Sequence, residues 1–123
     1  MGVAVSSWRL ARRVAELGEF GVVSGTGIDT VVVRELQQGD PHGRLQVLRG
    51  YPDQEIVEHL RDRYHVVGGI AADAPFRLLP MHSFYGSPFS QRILSAATYS
   101  EVALARSGHG GWIGINLMTK LKR

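Results

Sequence analysis

The sequence predicts an α/β protein whose strands run parallel. A helical pattern is followed at once by the short β-rich run Phe20–Ser24, and a second helical pattern, Ser90–Arg106, precedes another β-rich run, Ile113–Leu117. Parallel strands need a crossover connection, which is usually a helix, so this order indicates a repeating βα pattern. With 123 residues, of which 44% are hydrophobic, the chain has the length and the apolar content of about one domain.

The first helix is predicted over Trp8–Leu17. Ser6 and Ser7 are good N-cap residues, and Gly18 is a typical C-terminal stop. Its apolar residues recur at helical spacing: Trp8, Ala11, Val14, Ala15 and Leu17. Only five residues, Met1–Val5, stand before Ser6, which suits the end of a strand and its loop but leaves little room for the strand itself.

The first strand is predicted over Phe20–Ser24, and it leaves into a tight turn at Gly25–Gly27. The two glycines resemble the start of a dinucleotide-binding fingerprint, but Thr30 stands where the third glycine belongs. A simple glycine turn is therefore the favoured interpretation. A backbone edge close to a flat ligand is the functional alternative.

A helical insertion is predicted to follow, over about residues 29–64. Its three helices are Asp29–Gln38, Pro41–Arg49 and Asp53–Tyr64, and Asp53 is a natural N-cap for the last of them. Glycines and prolines then interrupt every pattern over about residues 66–88, so we expect an irregular loop with at most a short extended piece near 78–84. A loop of that length is either an active-site insertion or a mobile arm.

The last helix is predicted from an N-cap at Ser90 to Arg106, and the strand Ile113–Leu117 follows it. Asn116 is the one uncharged hydrogen-bonding side chain in that strand. Ligands of parallel sheets and barrels are held at the carboxyl ends of the strands, which makes Asn116 a candidate binding residue.

Composition excludes several classes of function. There is no cysteine, which excludes disulfides, thiolate metal sites and cysteine nucleophiles, and the five histidines have no metal-binding spacing. Lys and Arg outnumber Asp and Glu by only 14 to 11 and alternate with them, as in Arg61–Arg63, so nucleic acid is not an expected partner. No apolar run is long enough to span a membrane or to act as a signal peptide, so we expect a cytoplasmic protein without a membrane partner.

Three stretches, Met1–Arg12, Leu17–Thr26 and Gly114–Lys120, resemble the amino-terminal part of the nitronate monooxygenase family, also called 2-nitropropane dioxygenase-like. The resemblance runs over essentially all of residues 1–123. It implies an FMN-dependent (β/α)8 TIM barrel, here a partial one, with the helical insertion after the second barrel strand. A full barrel takes about 250 residues. We therefore expect an incomplete fragment that supplies the second and third strands with a trace of the first, and that is inactive alone.

The resemblance also implies a set of flavin-binding residues. The turn after the first barrel strand corresponds to Met1, Gly2 and Val3, and the turn after the second corresponds to Ser24, Gly25 and Thr26. The third strand carries the asparagine that contacts FMN, here Asn116, with Lys120 in the loop just beyond. The family's catalytic histidine and phosphate loops correspond to positions after Arg123, so no catalytic residue is assigned.

The implied activity is the oxidation of nitronates or related carbon acids with oxygen. Two alternatives stay open: an enoyl reductase-like flavoprotein of polyunsaturated fatty acid or polyketide synthesis, and a non-catalytic small α/β binding module. The expected partners are a small-molecule substrate and oxygen. Exposed strand edges are also expected to allow self-association.

Overall fold

The computed structural model describes residues 2–80 and 87–117. The described residues form a mixed α/β structure, which confirms the predicted class. The elements, in chain order, are α1 (Trp8–Glu16), β1 (Gly21–Ser24), α2 (Ile28–Gln37), α3 (Arg44–Leu48), α4 (Gln54–Tyr64), α5 (Pro88–Arg106) and β2 (Ile113–Asn116).

The chain divides into two compact units. The sheet unit contains the described residues up to Ile28 and those from Glu101 onward, and the helical unit is Asp29–Ser100. The sheet unit therefore holds α1, both strands and the end of α5. The helical unit holds α3, α4 and most of α2 and α5.

The two strands pair in parallel as neighbours, as the sequence predicts. Gly21 lies opposite Ile113 and Ser24 lies opposite Asn116, so the two strands are in register along their whole length. They form a two-stranded sheet among the described residues. This arrangement confirms the parallel α/β prediction.

One face of the sheet is covered by helices. Val23 is buried in a cluster with Ala11 of α1 and Ala105 of α5, and further apolar side chains pack against this cluster: Trp8, Val102, Ile113 and Ile115. Alanine has almost no side chain beyond Cβ, so both helices approach the sheet closely. The prediction that the last helix covers one face of the strands is confirmed for this part of α5.

Leu117, expected at the end of the second strand, lies after β2 and is exposed. Two further apolar positions of the sheet unit differ from prediction. Leu17, expected on the buried face of α1, is 70% exposed, and Phe20, expected in the strand, lies before β1 and is 61% exposed. Gly18 has a φ of +90° and ends the helix by turning the chain into the left-handed region. Leu17 therefore lies at the C-cap, beyond the last residue that faces the core.

The helical unit has a core of larger side chains. The segment 29–64 is helical over most of its length, as the sequence predicts. Its buried apolar residues come from all four helices of the unit: Val32, Val33, Leu36, Leu48, Ile56, Val57, Leu60, Tyr64, Ile93, Ala96 and Ala97. Asp53 caps α4 as predicted, because its carboxylate accepts a hydrogen bond from the backbone N–H of Ile56 at 3.3 Å.

Helix α3 is shorter than predicted. It begins at Arg44 and not at Pro41, because Asp40 accepts hydrogen bonds from the backbone N–H groups of Arg44 and Leu45 at 2.8 and 3.0 Å. The N-cap residue itself is Gly43, which has no side chain to accept these bonds, so the Asp40 carboxylate satisfies the first two helical amides in its place.

The segment after α4 is irregular as predicted, but hydrogen bonds hold it to the end of α2. The Gln37 side-chain amide donates to the Arg77 carbonyl at 2.9 Å and accepts from the Arg77 N–H at 2.6 Å. The Gln37 carbonyl also accepts from the N–H of Ile70. These bonds argue against the mobile-arm alternative for residues 65–80. The predicted extended piece shows no strand at 78–80, and its remainder lies outside the described residues.

Helix α5 begins at Pro88, so its cap lies three residues before the predicted one. Ser87, and not Ser90, is its cap, because the Ser87 hydroxyl accepts from the backbone N–H of Ser90 at 3.1 Å. Within the described part of the chain, no helix is both long and apolar enough to cross a membrane.

Candidate functional site

The carboxyl ends of the two parallel strands meet at one edge of the sheet. Ser24 ends β1 opposite Asn116, which ends β2, and the backbone N–H of Gly25 donates to the Asn116 carbonyl at 2.9 Å. A Cβ on Gly25 would lie only 2.9 Å from the Asn116 carbonyl oxygen, which is backbone and cannot move aside, so this close approach requires glycine. Ser24, Gly25 and Asn116 therefore form one cluster, which we call the carboxyl-edge cluster.

Ser24 and Asn116 are on the sheet face opposite the helices. Side chains alternate along a strand, so Val23 and Ile115 point to the helix-covered face while Ser24 and Asn116 point to the other. Asn116 is exposed. The amide side chain of Asn116 is therefore available to a ligand.

The hydroxyl of Ser24 has an unusual environment. The residue is 3% exposed, and its Oγ has no hydrogen-bond partner among the described residues. Buried hydroxyls are nearly always paired, because leaving one unpaired costs about 1–3 kcal/mol. This hydroxyl is therefore a candidate to bind a ligand atom at the carboxyl edge.

The segment before α1 runs along the other edge of β1. The Ser6 hydroxyl donates to the Val22 carbonyl at 2.6 Å, and the Ser6 carbonyl accepts from the N–H of Ser24 at 2.8 Å. Val3 lies against Gly27, whose φ of +63° belongs to the turn after β1. We call residues Gly2–Ser7 the amino-terminal loop. It forms a turn and not the trace of a strand that was expected there.

The predicted flavin residues fall into three groups. Ser24, Gly25 and Asn116 come together in the carboxyl-edge cluster. Gly2 and Val3 lie in the amino-terminal loop, and Thr26 lies in the turn after β1. Met1 and Lys120 lie outside the described residues.

Two residues that bear on this edge were missed by the sequence reasoning. Ser6 was assigned only as a helix cap, but it binds β1. Glu101 received no role, but its carboxylate accepts a hydrogen bond from the backbone N–H of Trp8. The sequence signal for Glu101 is that it is the one acidic residue of α5.

The cluster offers neutral hydrogen-bonding groups. A hydroxyl, a primary amide and backbone amides can both donate and accept, so they suit the polar rim of a flat ring system. The described residues contain no group of three His, Asp or Glu side chains that could hold a metal ion.

The charged groups with displaced pKa values lie on helices. Hydrogen bonds from Arg12 and then Arg13 lower the pKa of Glu16 on α1. The hydrogen bond from Arg92 lowers the pKa of Asp53, and the same contact raises the pKa of Arg92. These are exposed structural ion pairs and not a catalytic arrangement.

Comparison with known proteins gave no match: no family model fits the chain, and no curated protein or solved structure matches it.

Proposed function

We propose that the chain is part of an FMN-dependent oxidoreductase of the nitronate monooxygenase type. In this proposal β1 and β2 are the second and third strands of a (β/α)8 barrel, and Ser24, Gly25 and Asn116 border the flavin. One observation carries the proposal. Residues 92 positions apart in the sequence, which the family resemblance assigns to one flavin edge, are neighbours in a parallel register.

The placement of the helices supports the barrel part of the proposal. In a (β/α)8 barrel all helices lie outside, and the inner face of the sheet is filled by side chains from every strand. Here α1 and α5 both pack on the face of Val23, and the opposite face carries Val22, Gly114 and the exposed Asn116. That division of faces is the one expected for two neighbouring barrel strands.

The chemistry of the cluster suits one part of FMN. When bound, FMN would accept electrons from the nitronate and pass them to oxygen. The Ser24 hydroxyl and the Asn116 amide would contact the neutral ring system, and Gly25 would let the backbone come close. The phosphate needs several N–H donors or cations, which barrels of this kind commonly supply after strands seven and eight. We therefore expect the 123-residue chain to bind FMN only weakly.

A titration of FMN into isotope-labelled protein, followed by NMR, tests the proposal. Millimolar FMN should shift the backbone amide resonances of Ser24, Gly25 and Asn116, and Asn116→Ala should remove these shifts. Gln91→Ala is the matched control, because Gln91 is another exposed side-chain amide. It should leave the shifts unchanged.

Two outcomes would contradict the proposal in different ways. If FMN shifts no resonance, or only resonances elsewhere, the cluster is not a flavin site. If flavin fluorescence is quenched tightly and stoichiometrically and Asn116→Ala abolishes the quenching, the chain holds a working site by itself, and the incomplete-barrel part of the proposal is wrong.

A further inference from the structure

Helix α1 is capped by a residue from the other end of the sequence. Ser7 occupies the N-cap position with extended backbone, but its hydroxyl makes no capping bond, and the first turn contains no acidic residue. In place of a local cap, Glu101 Oε1 accepts a hydrogen bond from the backbone N–H of Trp8 at 2.7 Å. The carboxylate therefore lies at the positive end of the helix dipole.

Glu101 is buried, with 2% of its surface exposed. Its neighbours in the chain, Val102 and Ala105, belong to the apolar cluster on the helix-covered face of the sheet. A buried carboxylate is costly unless it is hydrogen-bonded, and charge-assisted bonds to backbone amides are among the strong ones. Burial of Glu101 thus makes its bond to Trp8 strong and directional.

This bond fixes one end of the amino-terminal loop, and Ser6 fixes the adjoining part. Ser6 is bound to β1 through its hydroxyl and its carbonyl, and the next residue but one is Trp8. With Trp8 held by Glu101, the loop cannot leave β1 without breaking one of these bonds. Val3 accordingly stays against the turn glycine Gly27.

We propose that Glu101 is a positioning residue, which acts through Trp8 and Ser6 to hold the amino-terminal loop beside the carboxyl-edge cluster. That this loop borders a flavin rests on the proposed function, whereas the anchoring itself does not. Glu101 contacts no ligand in this proposal. It keeps Ser6 bonded to the edge of β1 that does not pair with β2, so that Ser24 and the loop residues stay together.

Two neighbouring amides make the proposal testable by hydrogen exchange. The Ser24 N–H is bonded to Ser6 in the loop, whereas the Gly25 N–H is bonded to Asn116 in β2. Glu101→Ala should raise the exchange rate of the Ser24 N–H by about ten- to hundred-fold, the range expected for loss of a hydrogen bond to a charged group. The exchange rate of the Gly25 N–H should stay unchanged.

Conservative and control variants separate positioning from general stability. Glu101→Gln keeps an acceptor oxygen and should restore most of the protection of Ser24, while Glu19→Ala, at an exposed glutamate of the same unit, should change neither amide. If Glu101→Ala does not fold, Glu101→Asp serves instead, because its shorter side chain draws the carboxylate away from Trp8.

The proposal is overturned if the Ser24 and Gly25 amides accelerate equally, since Glu101 would then only stabilise the unit as a whole. It is also overturned if the Ser24 N–H keeps its protection in Glu101→Ala. All exchange rates are measured without FMN, so a failed flavin titration would contradict the proposed function and leave this result standing.

Discussion

The helical unit has a core of large apolar side chains, whereas the core of the sheet unit consists mainly of small ones. The helical unit buries a set of leucine, isoleucine and valine side chains, and its buried polar residues Arg44, Gln37 and Ser100 all have hydrogen-bond partners. The sheet unit buries mainly small side chains such as Ala11, Ala15 and Ala105. Both units leave large apolar side chains exposed, for example Trp112 in the sheet unit and Val67 in the helical unit.

The two buried serines, one in each unit, differ in their hydrogen bonds. The Ser100 hydroxyl donates to the Ala97 carbonyl at 2.8 Å and accepts from Arg44 at 3.1 Å. The Ser24 hydroxyl has no partner among the described residues. The two buried serines therefore differ in whether the described residues satisfy the hydroxyl.

Removal of the buried arginine should have the largest effect. Arg44 is 1% exposed and pairs with Glu35 and Ser100, so Arg44→Ala leaves Glu35 without its cation. We expect a loss of about 3–5 kcal/mol in the free energy of unfolding. Arg61→Ala, which breaks an exposed pair with Asp62, should cost less than about 1 kcal/mol. Equal urea midpoints for the two variants would show that the buried Arg44–Glu35 pair contributes no more to stability than the exposed Arg61–Asp62 pair.

The next largest difference is expected between truncations of an apolar side chain in each unit. Leu36 is fully buried in the helical unit, so Leu36→Ala should destabilise the protein by about 2–5 kcal/mol. Trp112 is 77% exposed in the sheet unit, and Trp112→Ala should change the free energy of unfolding by less than about 0.5 kcal/mol. Urea denaturation measures both. A large loss of stability in Trp112→Ala would contradict this prediction, because it would mean that the Trp112 side chain is buried in the folded protein.

Replacement of the two buried serines, Ser100 in the helical unit and Ser24 in the sheet unit, should give a smaller difference in stability. Ser100→Ala removes two hydrogen bonds, the one donated to the Ala97 carbonyl and the one accepted from Arg44, so a loss of about 1–3 kcal/mol in the free energy of unfolding is expected. Ser24→Ala removes a hydroxyl without a partner and should be neutral or stabilising by about 1 kcal/mol. Thermal unfolding of the two variants measures the difference. A destabilised Ser24→Ala would mean that the hydroxyl has a protein partner and is not available to a ligand.

Local patterns in the sequence predicted the elements well, because helical and strand periodicities depend on short-range geometry. The parallel pairing of β1 with β2 followed from the order of the elements, and the cap at Asp53 followed from its position before an apolar helical face. Helix boundaries were less accurate. Asp40 and Ser87 compete with neighbouring residues as caps, and the outcome depends on which side chain reaches the first amides.

The candidate site was predicted less completely. Gly25 and Asn116 have local signals, a turn glycine and a polar residue at a strand end, whereas Ser24 was implied only by the family resemblance. Ser6 and Glu101 were missed, because their bonds connect residues that are 16 and 93 positions apart. Helical and strand periodicities do not encode contacts at such separations, and the sequence shows Glu101 only as the one acidic residue of α5.

The smallest expected effects concern acid stability, where the two units should behave alike. Arg92 binds Asp53 through two hydrogen bonds at 2.7 and 2.9 Å, and these, followed by the bond from Ile56, hold the pKa of Asp53 below its ordinary value of 3.8. A carboxyl with a lowered pKa in the folded state stabilises the protein above its unfolded pKa. That contribution is lost as the pH falls through the lowered folded value.

Asp53→Asn isolates the charge, since asparagine is also a good N-cap. At neutral pH the variant should be slightly less stable than the unaltered protein, and the difference should shrink as the pH falls below about 3.8. Glu16→Gln is the matching change in the sheet unit, where Arg12 and Arg13 lower the pKa of Glu16 below 4.5. The stability difference between Glu16→Gln and the unaltered protein should also shrink as the pH falls, because both ion pairs are local and exposed to solvent. Urea midpoints between pH 2 and 7 test both variants. A difference that stays constant, or grows, on acidification would show that neither carboxylate is stabilised by its arginine in the folded protein.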